Sequence, residues 1–238
     1  MLGRFIQGAN RQLINQRAAA FGTWSGLTAA PADPILGLND SFKKDTRSTK
    51  ILLGMGVYRD NDGKPQVLEC VRRAEKLILD RKMDHEYSPI QGIDSYINKC
   101  QILGFGANST ALKEGRLAGA QAISGTGSLR LGLAFFAQWY PHKDIDFLTP
   151  KPTWPIHNTI GEIVGYKPKN YRYYNPATKG LDFEGLKADL KACKDHSVVM
   201  WHVCAHNPTG VDPSEAQWLE ILDIVKTKKL FSAFDSAY

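Results

Sequence analysis

Trp201-His202-Val203-Cys204-Ala205-His206-Asn207-Pro208-Thr209-Gly210-Val211-Asp212 is the stretch from which the rest of the chain takes its order. It continues the apolar run Val198-Val199-Met200, which has the character of a strand, and it precedes a helical pattern that begins near Pro213. Pro208 fixes φ and removes a backbone donor, the residue before it is pushed out of the α region, and Gly210 permits positive φ. A strand that ends in such a turn ahead of a helix presents polar side chains at its carboxyl edge, where open α/β sheets bind their ligands. Taken alone, the stretch reads equally well as an ordinary turn.

The composition sets the frame. A chain of 238 residues, 43% hydrophobic and 23% charged, can bury a substantial core and suits one large domain plus additional material. Cys70, Cys100, Cys193 and Cys204 show neither C-x-x-C pairing nor zinc spacing, so free thiols in a reducing compartment and no metal are expected. No apolar run approaches the roughly 20 residues that span a bilayer, so no membrane partner is expected. Arg4, Arg11 and Arg17, with no acid before Asp33, account for half of the net charge of +6. The small remaining excess forms no basic stripe with interleaved aromatics, which argues against a nucleic-acid partner.

At helical spacing Leu2, Phe5, Ile6, Ala9 and Leu13 share one face, and Arg4, Gln7 and Arg11 the other. An acid-free, Arg-bearing amphipathic segment followed by small residues has the form of a mitochondrial transit peptide. Residues 1–30 are therefore expected to direct import to the mitochondrial matrix, with cleavage between Arg17 and Ala32. A plain N-terminal arm is the alternative.

From the first acid onward, Ala32–Leu38 suggests an extended arm leading to a short helix around Asn39–Lys44. Ile51–Tyr58 suggests a strand broken by Gly54 and Gly56, and Asn61-Asp62-Gly63-Lys64-Pro65 marks a turn. Val67, Val71, Ala74, Leu77 and Ile78 recur at helical spacing, and a loop over Glu86–Gly92 precedes a helix from Ile93 to about Gly104. Arg116–Ile123 suggests a strand running into Ser124-Gly125-Thr126-Gly127-Ser128 and then a helix with Leu129, Leu133 and Phe136 on one face. A strand, a Gly-rich turn and a helix can hold phosphate, because N–H groups at a helix start are free and the macrodipole favours an anion. The spacing fits neither a P-loop nor a dinucleotide fingerprint, so helix capping remains the other reading. Strands are further expected at Asp146–Leu148, Tyr171–Tyr174 and, as a buried strand ending in Asp235, Leu230–Phe234; helices are expected over Phe183–Lys194 and Pro213–Lys228. The alternation implies an α/β fold, a mostly parallel sheet with helices on both faces.

Seven stretches in order, Asp33-Pro-Ile-Leu-Gly-Leu38, Tyr58-Arg-Asp-Asn-Asp-Gly-Lys-Pro65, Glu86-Tyr-Ser-Pro-Ile90, Ser124-Gly-Thr-Gly-Ser-Leu-Arg130, Pro152-Thr-Trp154, Cys204-Ala-His-Asn-Pro-Thr-Gly-Val-Asp-Pro213 and Phe234-Asp-Ser-Ala-Tyr238, resemble the aspartate aminotransferases, pyridoxal-phosphate enzymes of fold type I. The resemblance implies transfer of an amino group from L-aspartate to 2-oxoglutarate through pyridoxal 5'-phosphate, with amino and 2-oxo acids as small-molecule partners and a homodimer as the assembly. It implies three parts: residues 1–30 as transit peptide, 31–65 as arm and part of a small domain, and 66–238 as an incomplete cofactor-binding large domain.

Residue by residue, the resemblance implies that Asp235 pairs with the protonated pyridine nitrogen and that Asn207 and Tyr238 hydrogen-bond the phenolic oxygen. Trp154 would stack on the ring, and His157, with His202, would orient Asp235. Ser124, Gly125 and Thr126 would hold the phosphate, Tyr87 would reach the partner subunit's cofactor phosphate, and Gly56 would offer its backbone to the substrate carboxylate, which Trp154 and Asn207 also approach. The resemblance also implies a cis Asn207–Pro208 peptide. Met55 replaces the usual Val, and Pro155-Ile156 replaces a common Gly-Asn before His157, which removes a polar group expected beside the cofactor.

In the family the Schiff-base lysine, a phosphate-binding arginine and the carboxylate-gripping arginines lie beyond the position of Tyr238; Lys226, Lys228 and Lys229 precede Asp235 and do not correspond. The expectation is either a partial sequence of a normal enzyme or a truncated, inactive product, and the 238 residues alone are expected to lack transaminase activity. An aromatic or other fold type I aminotransferase is the further alternative.

Overall fold

A computed structural model describes residues 26–28, 34–54 and 56–238. The transit-peptide face, most of the expected cleavage region, Asp33 and Met55 lie outside the described residues. The described chain falls into two compact units divided between His85 and Glu86.

In the first unit α1 spans Pro34–Lys44 and α2 spans Glu69–Asp80. The arm expected up to Leu38 is helical from Pro34 onward, a position that suits proline because the first turn needs no N–H from it. Lys50 Nζ ties the end of α1 by donating to the Phe42 and Asp45 carbonyls at 2.9 and 2.6 Å. Ile51–Tyr58 does not form the expected strand. Among the described residues no strand pairs with it; across the turn at Asn61–Gly63 the Gln66 N–H reaches the Tyr58 carbonyl at 2.9 Å and Arg59 bridges Pro65. The Asp60 carboxylate shapes that turn, accepting the N–H groups of Asp62 and Lys64 at 3.0 and 2.8 Å.

The second unit carries α3 (Asp94–Phe105), α4 (Thr110–Lys113) and α5 (Ser124–Trp139), followed by β1 (Phe147–Lys151), α6 (Pro155–Ile163) and β2 (Pro168–Arg172). A two-residue pair, β3 (Tyr174–Asn175) and β4 (Gly180–Leu181), precedes α7 (Phe183–Ala192), β5 (Val198–His202), α8 (Glu215–Thr227) and β6 (Phe231–Asp235). The four-stranded sheet has the order β2-β1-β5-β6 and every pairing in it is parallel. Asp182 caps α7 by accepting the Gly185 N–H at 3.0 Å, and Ser214 with Gln217 forms a capping box that starts α8.

Side chains that alternate along the strands divide the core into two layers. Leu148, Val199 and Trp201 face α7 and α8 through Leu186, Leu190, Ile221 and Ile224. Phe147, Val198 and Met200 face α5 and α6 through Leu133 and Ile160. Each such buried aliphatic or Phe side chain contributes about 1.5–3 kcal/mol, against about 0–1 kcal/mol for a surface ion pair such as Arg172–Asp189. The two apolar layers therefore hold the sheet.

Besides Ile51–Tyr58, two further expected strands differ from the observed chain. Arg116–Ile123 is irregular: it is rich in Ala and Gly, which are poor strand formers, and Gln121 gives its N–H to the Gln91 carbonyl at 2.7 Å instead of a ladder. β6 is a strand but not a buried one, because it forms an edge of the sheet and leaves Phe234 55% exposed. Among the described residues no helix is long and apolar enough to cross a membrane, and the four cysteines are free thiols.

Candidate active site

Parallel strands deliver their following loops to one edge, and three of them meet there. The loop after β1 brings Thr153 and Trp154, the loop after β5 brings residues 203–212, and β6 ends on Asp235. The first turn of α5 adds Gly125. A cavity of about 150 Å³ is lined by Gly125, Trp154, His202, Cys204, Asn207 and Asp235, with Ala237 and Tyr238 closing it. Thus Gly125, Trp154, Asn207, Asp235 and Tyr238, expected together from the sequence, share one cavity.

Ser124 and Thr126 flank Gly125 in the same helical turn. Ser124 has φ 53°, and the N-cap position, Ile123, offers no side-chain cap. The first-turn N–H groups of α5 thus receive no side-chain cap from the N-cap residue, which leaves them suited to an anion. Tyr87 is 96% exposed on its loop. Gly56 belongs to the first unit and is exposed there.

Behind the cavity runs a chain of hydrogen bonds with a single direction. The Asn207 N–H donates to His202 Nδ1 at 3.1 Å. Burial, and then the neighbouring His157, push the His202 pKa down to about 4, so the ring is neutral at pH 7 and its proton sits on Nε2. That Nε2 lies 3.3 Å from Thr153 Oγ1, which in turn lies 2.8 Å from His157 Nδ1. With Thr153 accepting from His202, its own hydrogen goes to His157 Nδ1. His157, fully buried, then donates Nε2–H to Asp235 Oδ2 at 2.8 Å. The carboxylate is thereby held from behind while it lines the cavity in front.

His206 is 1% exposed and stacks on Tyr173 at 3.9 Å, with His202 at 4.3 Å on a tilted approach. Burial, followed by the nearby His202, lowers its pKa to about 3. Its Nδ1 meets Thr209 Oγ1 at 2.8 Å, whereas Nε2 has no hydrogen-bond partner among the described residues. Asn207–Pro208 is cis.

Thr153, His206 and Asp212 fall inside the stretches that the sequence reading quoted, but it gave them no role of their own. Thr153 was legible in principle, since it precedes His157 by one helical turn in T-W-x-x-H. Pro155 opens α6, and Ile156 packs with the core layer under α5 and α6; neither lines this cavity. Among the described residues no group of three or more His, Cys, Asp or Glu side chains is placed to hold a metal ion.

The profile described as Aminotransferase class I and II matches residues 48–238. Mitochondrial aspartate aminotransferase of Gallus gallus is 45% identical over 233 residues, covering 98% of this chain and 54% of that protein. The protein of the same name in Schizosaccharomyces pombe is 43% identical, covering 95% and 51%. Among solved structures, an aromatic-amino-acid aminotransferase from Burkholderia pseudomallei, covalently bound to pyridoxal phosphate, aligns with TM-score 0.85 and 38% identity over 92% of this chain and 54% of that one. The cytoplasmic aspartate aminotransferase of Saccharomyces cerevisiae aligns with TM-score 0.82 and 38% identity, covering 91% and 52%. The chain spans about half the length of the curated relatives it matches.

Proposed function

This chain belongs to the aminotransferase class I and II family, and from that premise we propose that it serves an aspartate aminotransferase, binding pyridoxal 5'-phosphate in the cavity at the carboxyl edge of the sheet. The observation that carries the reading is the Asp235 carboxylate, held by His157 at 2.8 Å and sharing one cavity with Asn207, Trp154, Tyr238 and the uncapped start of α5. A carboxylate on one side and free helix-start N–H groups on another suit a ligand with a cationic ring nitrogen and a phosphate.

When bound, the cofactor supplies an electron-withdrawing ring that takes up the electron pair left as the Cα–H bond of an amino acid breaks. Asp235 would accept the N–H of the ring nitrogen and keep a proton at that atom. His157, whose Nε2–H occupies one oxygen of Asp235, orients the carboxylate. Asn207 and Tyr238 would donate hydrogen bonds to the phenolic oxygen, Trp154 would cover the ring, and Ser124, Gly125 and Thr126 would hold the phosphate. Tyr87 would extend to a second protomer in a homodimer, and Gly56 would serve the substrate carboxylate.

The amino donor is proposed to be L-aspartate, with 2-oxoglutarate as acceptor, because the relatives named for aspartate share 43–45% identity with this chain. Titration of the chain with pyridoxal 5'-phosphate, followed by tryptophan quenching and cofactor absorbance, tests the site. Saturable binding that weakens at least about tenfold in Asp235→Ala, the loss of one charge-assisted contact, is expected. Equal binding by both proteins contradicts the reading. Comparison of aspartate with phenylalanine as donor, using the protein isolated from its own cells, tests the substrate; a preference for phenylalanine would favour the aromatic alternative.

A mitochondrial site of action is proposed from the names of these relatives and the Arg-bearing N-terminal residues. Exclusion of a tagged protein from mitochondria would contradict it.

A further inference from the structure

The turn that carries Asn207 is closed by a carboxylate that takes no part in the cavity. Asp212 Oδ2 accepts the Ala205 N–H at 2.7 Å, and its Oδ1 accepts the His206 N–H at 3.0 Å. Two consecutive N–H groups can reach one carboxylate only if the backbone turns sharply between them, and Ala205 accordingly sits at φ 48°. An alanine enters that left-handed region reluctantly, whereas a glycine does so freely. The Asp212 carboxylate thus binds the N–H groups on both sides of Ala205. The residue after His206 is Asn207, whose N–H is committed to His202 and whose residue lines the cavity beside Trp154 and Asp235.

We propose that Asp212 is a positioning residue: by fixing Ala205 and His206 it sets the direction in which Asn207 enters the cleft, without touching what the cleft binds. The proposal rests on reading that cleft as a pyridoxal-phosphate site, and it makes a prediction that charge alone reverses. Removing a negative charge near an anionic ligand would by itself tighten binding. Loss of positioning weakens it.

The test compares the full 238-residue chain with Asp212→Asn, Ala205→Gly and the double variant in titrations with pyridoxal 5'-phosphate, with urea unfolding alongside. Without the carboxylate an alanine leaves this φ readily, so Asp212→Asn is expected to weaken binding at least about fivefold. Ala205→Gly alone leaves affinity unchanged. In the double variant glycine takes the same φ unaided, and affinity returns to within about twofold of the parent.

Unchanged or tighter binding by Asp212→Asn overturns the proposal, as does a double variant that stays as weak as Asp212→Asn. Should Asp212→Asn fail to fold, the double variant decides by the same criterion. Should the parent itself not bind, the reading of the cleft fails separately. The imidazole ¹⁵N shift of His202 in the ligand-free proteins then tests the positioning: perturbed in Asp212→Asn and restored in the double variant supports it, and unperturbed in Asp212→Asn overturns it.

Discussion

Thr153 shows how much of the site depends on one small hydroxyl. It stands between two ring nitrogens, His157 Nδ1 and His202 Nε2, and gives each a partner. Thr153→Val keeps the shape, removes both bonds and leaves buried polar atoms unsatisfied. The expected loss is about 2 kcal/mol in urea unfolding, while Thr153→Ser stays within about 0.5 kcal/mol of the parent. Equal stability of the two variants would show that the chain of bonds to Asp235 is not continuous. The family resemblance pointed to Asp235, Asn207, Trp154 and the Ser124–Thr126 turn, because each belongs to a short motif marked by Gly, Pro or an aromatic residue. The roles of Thr153, His206 and Asp212 stayed hidden. Their importance comes from partners up to 49 residues away or from a backbone turn, and neither is a property of residue type.

At the scale of elements, the sequence pattern identified helices α2, α3, α5, α7 and α8 and strands β1, β5 and β6, whereas the strand expected at Tyr171–Tyr174 lies at Pro168–Arg172. Helices α5, α7 and α8 bury residues against the sheet, and α2 and α3 bury none. The pattern failed for Ile51–Tyr58 and Arg116–Ile123, where apolar residues occur without a neighbouring strand to accept their backbone bonds. It also missed that β6 lies at an edge, because sheet order is set by pairing and not by the strand's own residues. One contact tests the packing of α6 on β1. A Cβ at Gly161 would stand 2.7 Å from Cε1 of buried Phe147, whose ring stacks on Tyr166 and has nowhere to move. The gain in helix propensity from Gly to Ala is about 1 kcal/mol, and overpacking costs about 1–3 kcal/mol. The steric term wins, and Gly161→Ala is expected to lower stability by about 1–2 kcal/mol in urea unfolding. A stabilised variant would mean that α6 does not approach the sheet this closely.

For the whole molecule, the buried histidines set a pH dependence. His202 and His206 have folded pKa values of about 4 and about 3, below the ordinary 6.5. Between pH 6.5 and about 4 the unfolded chain therefore takes up protons that the folded chain refuses. Their contribution is fully present above pH 6.5 and is lost as pH falls through that window. The lowered carboxylates, Asp45, Asp146, Asp189 and Asp195, act only below about pH 4. Urea midpoints are expected to fall from pH 7 to pH 5, and His206→Gln should flatten the dependence; a midpoint independent of pH over this range would contradict the buried, neutral assignment.

The central claim, that Asp235 meets the ring nitrogen of a bound pyridoxal phosphate, is tested most directly by NMR with cofactor labelled with ¹⁵N in the ring. On the parent chain the nitrogen is predicted to carry a proton and to show the shift of a pyridinium, and Asp235→Asn is predicted to return it to the unprotonated value. The same shift in both proteins would contradict the account.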